Sequence, residues 1–307
     1  MRADLLHVVT AIANPLRWQS RLRLYKDFEQ HMLDSGVHLT VVECAYGDRP
    51  HEIPSRAGVR HVPVRARTMV WTKENLLNLG IAALPDDWKY VAWIDADIAF
   101  RDPKWAAETV QALQHYDVVQ PWSHCYDLGP HAEHLAVHTS FCRIWQDRGE
   151  VGGGYGVFAH PGYAWAATRQ ALDWVGGLIE TAAMGAADHH MALALVGHVD
   201  RSLPAGISAA YCRPLQRWQA RAVQHIAGNI GVLPGSIEHF WHGAKLRRRY
   251  VERWSVLTRN DFDPDVDLKR NVWGVLELAG NKPGLRREID TYFRQRDEDS
   301  NSLAAGI

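Results

Sequence analysis

The sequence predicts an α/β fold with a mostly parallel sheet covered by helices on both faces, and three observations predict it. Short β-branched, apolar runs alternate with segments of helical period as far as residue 120. The runs are apolar on both of their alternating faces, as strands buried inside a parallel sheet are. The segments between them are long enough for crossover helices, which parallel neighbours require.

Residues 5–12 form the first strand, stopped by the turn pair Asn14-Pro15. Residues 16–33 put Leu24, Phe28 and Met32 on one helical face. Residues 37–44 and 59–64 are the second and third strands. Thr72, with Glu74 in the first turn, opens a helix that runs to residue 84. Residues 90–94 are a strand stopped at Asp95, and Pro103 opens a helix to residue 116 before a strand at 117–120. From 121 to 162 no period is clean, so this stretch reads as a long functional loop. Helices resume at 168–175 and 186–196, and a basic helix is expected at 243–257. The acidic run 260–267 reads as a solvated loop with a helix cap, followed by two short helical patterns. A polar tail from Arg296 is expected to be disordered. The expected division is a catalytic unit at 1–257 and a helical C-terminal extension with its tail at 258–307.

Composition narrows the class. Of 307 residues, 47% are apolar and 22% charged, which excludes a disordered, collagenous or coiled-coil chain. A net charge of -1, from 34 basic and 35 acidic residues, gives no global basic field for nucleic acid. Cys44, Cys125, Cys142 and Cys212 are scattered without a Cys-x-x-Cys pair and read as buried free thiols. The N-terminus reads as a strand and not a signal peptide, and no apolar run reaches the roughly 18 residues of a membrane span. The expected location is the cytoplasm.

The segment Tyr90-Val-Ala-Trp-Ile-Asp95-Ala-Asp97 carries the sharpest chemistry. Two acids one residue apart put both carboxylates on one side of a strand end. The carboxyl ends of parallel strands are where such sheets bind ligands. Paired carboxylates repel unless a cation neutralises them, and Mn²⁺ or Mg²⁺ suits oxygen ligands and can also grip a diphosphate. Asp-x-Asp also occurs at 261–267 and at 297–299, but only the 95–97 pair follows an apolar strand. The 261–267 run lacks the glycine and the closing Glu of a calcium loop: Val266 and Val272 stand there.

Three further segments extend this pattern. Lys73 and Asn78 lie on the helix before the acidic strand, in Lys-x-x-x-x-Asn-x-Gly. Arg169 precedes Gly176-Gly177 in Gly-x-x-x-x-x-x-Arg-x-x-x-x-x-x-Gly-Gly, and Asp188 follows. Late in the chain stands Glu238-His239-Phe-Trp-His242-Gly-Ala-Lys245. In order and spacing these segments resemble the GT-A-fold glycosyltransferases of the family 2 type, collinearly over residues 5–250. The resemblance implies a Rossmann-like GT-A domain that transfers a sugar from a nucleotide-diphosphate donor such as UDP-glucose, using Mn²⁺ or Mg²⁺. It implies that Asp95, Asp97 and His242, with His239 as the alternative, hold the metal. Thr10, Ala11, Glu43, Lys73, Asn78, Asp95, Ala96 and Lys245 would meet the donor. Asp188 would be the catalytic base of an inverting reaction, although the family's usual Glu-Asp pair is Ala187-Asp188 here.

Other features fit the same reading with less force. Gly152-Gly-Gly-Tyr155-Gly is expected to be a lid, with Tyr155, Tyr163 and Trp165 toward the acceptor. His131, His134 and His138 have no fourth ligand at a zinc spacing and read as a polar segment. The basic run from Lys245 to Arg253 could hold the diphosphate, grip a polyanionic acceptor or be a solvated face; the diphosphate is expected for Lys245 and the solvated face for Arg248. The acceptor is open between a saccharide, a protein and, by resemblance to phage-type enzymes, a hydroxymethylated pyrimidine in DNA. Two rivals stand beside the transferase: a nucleotidylyltransferase, whose Gly-rich basic loop after the first strand is missing, and a non-catalytic nucleotide- or carbohydrate-binding protein.

Overall fold

The computed structural model of the chain describes residues 2–149 and 159–301. Its strands are β1 (Leu6–Ala13), β2 (His38–Tyr46), β3 (Val59–Ala66), β4 (Tyr90–Ile94), β5 (Ile98–Phe100), β6 (Val118–Gln120), β7 (His124–Leu128), β8 (His134–Thr139), β9 (Ala164–Thr168), β10 (Ile230–Val232), β11 (Ser236–His239), β12 (Leu268–Arg270) and β13 (Leu276–Leu278). Its helices are α1 (Gln19–Asp34), α2 (Lys73–Ala82), α3 (Trp105–Ala112), α4 (Phe141–Arg148), α5 (Arg169–Val175), α6 (Ala187–Leu195), α7 (Ala209–His225), α8 (Trp254–Arg259), α9 (Pro264–Asp267) and α10 (Pro283–Gln295).

The main sheet has the order β10-β6-β9-β4-β1-β2-β3. All neighbours are parallel except β9, which runs antiparallel to both β4 and β6. Successive residues of its strands enter opposite cores, as a period of two requires. Val9, Val42, Trp93 and Trp165 pack on one face with Leu76 of α2, Leu172 of α5, Leu193 of α6 and Leu215 of α7. Val8, Val41, Ala92 and Ala166 pack on the other with Phe28 of α1 and Trp105 of α3. This is the mostly parallel α/β architecture that the sequence predicts. No helix of the described residues is long and apolar enough to cross a membrane. The four cysteines are free thiols, and Cys212 alone among them is only half-buried.

Three expectations are corrected. The stretch 121–162 is not a structureless loop: β7, β8 and α4 lie in it, and a second sheet forms in the order β5-β11-β7-β8. Its strands carry polar residues because one end of the sheet faces a cleft, so they lack the apolar alternation that announces a strand. The basic helix expected at 243–257 is a 3-10 turn, Lys245–Arg248, ended by Arg249 at φ +46°, with α8 beginning only at Trp254. Residues 296–301 of the polar tail are ordered. Arg296 and Glu298 are buried, and Asp299 caps α1 by accepting from Gln19 N at 2.9 Å and Ser20 N at 2.8 Å. The boundary expected at 257/258 falls inside α8. The cap expected in the acidic run is Asp263, which accepts from Asp265 N, while Asp267 is buried against Lys282.

Candidate active site

The register of the second sheet builds the site. Strand β11 lies between β5 and β7, with His239 opposite Ile98 on one side and Asp127 on the other. Phe240 N donates to Asp97 O at 2.8 Å. The turn that leaves β4 is thereby stitched to the late histidine segment, more than a hundred residues away in sequence.

Asp97, His239 and His242 offer ligand atoms that all lie within 4.8 Å of one another. His242 Nε2 is 2.9 Å and His239 Nε2 3.9 Å from Asp97 Oδ2. Burial pushes His239 down to about 4, so its ring is neutral at pH 7, with a lone pair to offer. Burial opposes the Asp97 charge, but His242, His239 and Arg248 hold the carboxyl well below its usual range. The other oxygen, Oδ1, is buried without a hydrogen-bond partner. An orphaned carboxylate oxygen beside two imidazoles is a donor set that a divalent cation satisfies.

Both late histidines therefore enter the site, and Asp95 does not join them. Asp95 Oδ1 pairs instead with Lys73 Nζ at 2.8 Å. Burial pushes the Asp95 carboxyl above its ordinary value even though Lys73 pulls it back. Burial also disfavours the Lys73 charge, but Asp95 and Glu74 outweigh this and raise its pKa. Two aspartates one residue apart thus face different partners, because the chain turns between them.

A cleft of about 440 Å³ is lined by Thr10, Ala11, Lys73, Asp95, Ala96, Asp97, Tyr163, Asp188, His239, His242 and Lys245, among others. Eleven residues expected at the site thus share one cavity. The Thr10 hydroxyl donates to Ile94 O at 2.7 Å, so its proton is not available to a ligand. Lys245 Nζ is 2.5 Å from Asp127 Oδ2. Asp188 sits in the first turn of α6, where Oδ1 accepts from His189 N at 2.8 Å. A Cβ on Gly162 would lie 3.1 Å from Asp188 Oδ2, so the absence of a side chain there keeps room beside the carboxylate.

Three expected site residues lie elsewhere. Glu43 is buried under the 47–58 loop, accepting from Glu52 N at 2.5 Å and meeting His61 Nε2 at 2.9 Å. Asn78 clamps the segment after α5: Oδ1 accepts from Leu178 N at 2.9 Å and Nδ2 donates to Leu178 O at 3.0 Å. A Cβ on Gly80 of the same helix would be 2.4 Å from Val9 Cγ1. The Asn-x-Gly end of that motif is therefore a packing device, and only its Lys reaches the cleft. Trp165 is core, its Nε1 donating to Pro161 O at 2.6 Å. Tyr155 and its glycine run lie outside the described residues.

Several site residues went unmarked in the sequence. Asp127 accepts from or faces His239 Nδ1 at 2.6 Å. Arg248, expected on a solvated face, instead has Nη2 2.9 Å from His242 Nε2 and 3.5 Å from its Nδ1. His160 stacks on Tyr163 with ring centroids 4.2 Å apart and planes 2° apart, and its Nδ1 accepts from Gly162 N at 3.1 Å. Glu74 is buried in the cleft wall, and burial pushes its carboxyl up to about 7. Asp127 and His160 fall in the stretch that lacks periodicity, so the sequence gives them no strand from which to infer direction.

No family model matches the chain, and no curated protein does. Among solved structures it is similar to the Drosophila β-1,4-galactosyltransferase 7 in complex with manganese, UDP-Gal and xylobiose, at 11% identity, over 92% of this chain and 98% of that one, with a TM-score of 0.42. It is similar to S. aureus TarS at 11% identity, over 75% and 74% of the two chains, with a TM-score of 0.36. It is also similar to the 4-diphosphocytidyl-2C-methyl-D-erythritol synthase of Anaerococcus prevotii at 11% identity, over 76% and 88%, with a TM-score of 0.33. Likenesses at these scores carry no argument about chemistry, which rests on the cleft itself.

Proposed function

We propose that the chain is a divalent-metal-dependent glycosyltransferase that moves a sugar from a nucleotide-diphosphate donor of the UDP-glucose type to an acceptor hydroxyl, with inversion. The observation that carries this reading is the convergence of Asp97, His239 and His242 with the free-edged carboxylate of Asp188 in one cleft.

Asp97, His239 and His242 would hold the cation, and two imidazoles with one carboxylate suit Mn²⁺ better than Mg²⁺, which prefers oxygen. The bound metal would neutralise charge on the departing diphosphate. Lys245 and Arg248 line the same part of the cleft and would add charge-assisted hydrogen bonds to the phosphates. The Lys73–Asp95 pair, with the backbone of Thr10, Ala11 and Ala96, would meet the rest of the donor. Asp188 Oδ2 would take the acceptor's hydroxyl proton as its oxygen bonds to the anomeric carbon and the bond to the diphosphate oxygen breaks. Attack from the face opposite the leaving group inverts the configuration. The stacked rings of His160 and Tyr163 form a flat wall suited to a sugar.

Of the basic run 245–253, Lys245 and Arg248 turn into the cleft, whereas Arg247 pairs with Asp297 and Arg249 donates to Gln295. That leaves little unengaged charge for a DNA backbone, and a saccharide or other neutral hydroxyl acceptor is the favoured class. Titrating UDP into the protein with and without Mn²⁺, then following UDP-glucose over hours, tests the reading. Metal-dependent binding with turnover is expected. Binding without turnover for any donor would make the chain a binding protein, and no binding would remove both readings.

A further inference from the structure

Residues 297–300 return to His242, and nothing in the proposed chemistry uses them. Three successive residues of the histidine segment touch them. Trp241 Nε1 donates to Ser300 O at 2.8 Å. His242 Nδ1 faces Glu298 Oε2 at 3.7 Å. Gly243, at φ +85°, packs so closely that a Cβ would lie 2.7 Å from Asp297 O and 2.9 Å from Glu298 Cα. Glu298 is 1% exposed and is held between Arg21 Nε and Arg296 Nε, each at 2.6 Å from one of its oxygens. Asp299, next in sequence, is fixed on the N-terminus of α1. A buried carboxylate with two guanidinium partners and a capped neighbour has little freedom to move.

We propose that Glu298 is a positioning residue for the metal ligand His242, so that the C-terminal segment 296–300 completes the metal site. This rests on the reading of Asp97, His239 and His242 as metal ligands. Nε2–H can donate to Asp97 Oδ2, 2.9 Å away, as long as no cation is bound. A cation on Nε2 would require the tautomer with its proton on Nδ1, and the charge of Glu298, 3.7 Å from Nδ1, would favour that tautomer electrostatically. Metal-binding histidines are commonly oriented in this way by a carboxylate on the other ring nitrogen. His239 has the matching arrangement, with Asp127 on Nδ1 and Nε2 toward Asp97. The two ligands would then be held by separate carboxylates, one in the second sheet and one in the chain end. Arg21 and Arg296 would keep Glu298 charged and in place.

Mn²⁺ titration of the full chain in the presence of UDP, followed by the metal's electron paramagnetic resonance, tests this. Glu298→Gln keeps the shape and removes the charge, and is expected to weaken Mn²⁺ binding about tenfold or more. Glu298→Asp is expected to recover part of the loss. Asp299→Ala leaves Glu298 intact but frees the segment from α1, and is expected to weaken Mn²⁺ binding to a smaller degree. Thermal melts establish that each variant is folded at the titration temperature. If Glu298→Gln does not fold, Asp299→Ala and Glu298→Asp decide. Native Mn²⁺ affinity in the folded variants overturns the role of Glu298 alone. Absence of Mn²⁺ binding in the native chain overturns the metal reading and this inference together.

Discussion

His239 Nδ1 lies 2.6 Å from Asp127 Oδ1, and both residues are buried in adjacent strands of the second sheet. The contact fixes the ring so that Nε2 points toward Asp97. Asp127→Asn removes the charge behind the histidine and one partner of Lys245. The Mn²⁺ concentration for half-maximal activity is expected to rise roughly tenfold. A metal titration of the variant checks it, and an unchanged midpoint would leave Asp127 a purely structural residue.

Asp188→Asn is nearly isosteric and keeps an oxygen for His189 N. Loss of the base is expected to lower kcat by about 10²–10⁴-fold, with UDP affinity unchanged. Kinetics with a competent acceptor, alongside UDP binding, separate the two effects. A variant with native kcat would move the base elsewhere, and Glu74 is a buried carboxyl in the same cleft wall.

Asn78→Ala discriminates packing from donor binding. The side chain gives Leu178 both a donor and an acceptor. Its removal is expected to cost about 2 kcal/mol of stability through unsatisfied backbone groups. Chemical denaturation measures that cost, and UDP affinity per folded molecule should match the native chain.

His190 sets an acid limit on stability. It is fully buried, with Nδ1 2.7 Å from Ser202 Oγ and Nε2 2.9 Å from Tyr211 OH, and burial pushes it down to about 3. Below an ordinary pKa of about 6.5 the unfolded chain takes up a proton that the folded chain refuses. This group's contribution is therefore complete above about pH 6.5 and is lost as pH falls toward 3, at up to about 1.4 kcal/mol per pH unit. Denaturation midpoints across that window should fall less steeply in His190→Gln than in the native chain.

How much was legible follows from where the information lies. β1, β2 and β4 are near-continuous apolar runs, because both of their faces are covered, and they stand within a residue or two of where the sequence puts them. Asp97 follows such a strand, and Asp188, His242 and Lys245 sit in short motifs; all four line the same cleft. β7 and β11 were not, since Asp127, Glu238 and His239 make them polar and only their pairing with each other gives them direction. α7 was missed as well: it contains Pro214 and repeated arginines, and only its buried face, with Tyr211, Leu215 and Trp218, marks it as a helix. Glu298 reads as part of a charged tail, because its partners Arg21 and His242 are far away in sequence. Asn78 was legible as a motif and misread in role: its spacing to Lys73 is the same whether it holds a nucleotide or a neighbouring loop.

Under the proposed function, donor cleavage needs a metal held by Asp97 and the two late histidines. Release of UDP from UDP-glucose, measured with Mn²⁺ and after EDTA in the native chain and in Asp97→Ala, tests it most directly. Release that Mn²⁺ restores after chelation, and that Asp97→Ala abolishes while remaining folded, is expected. Release at the native rate in EDTA or in Asp97→Ala would contradict it.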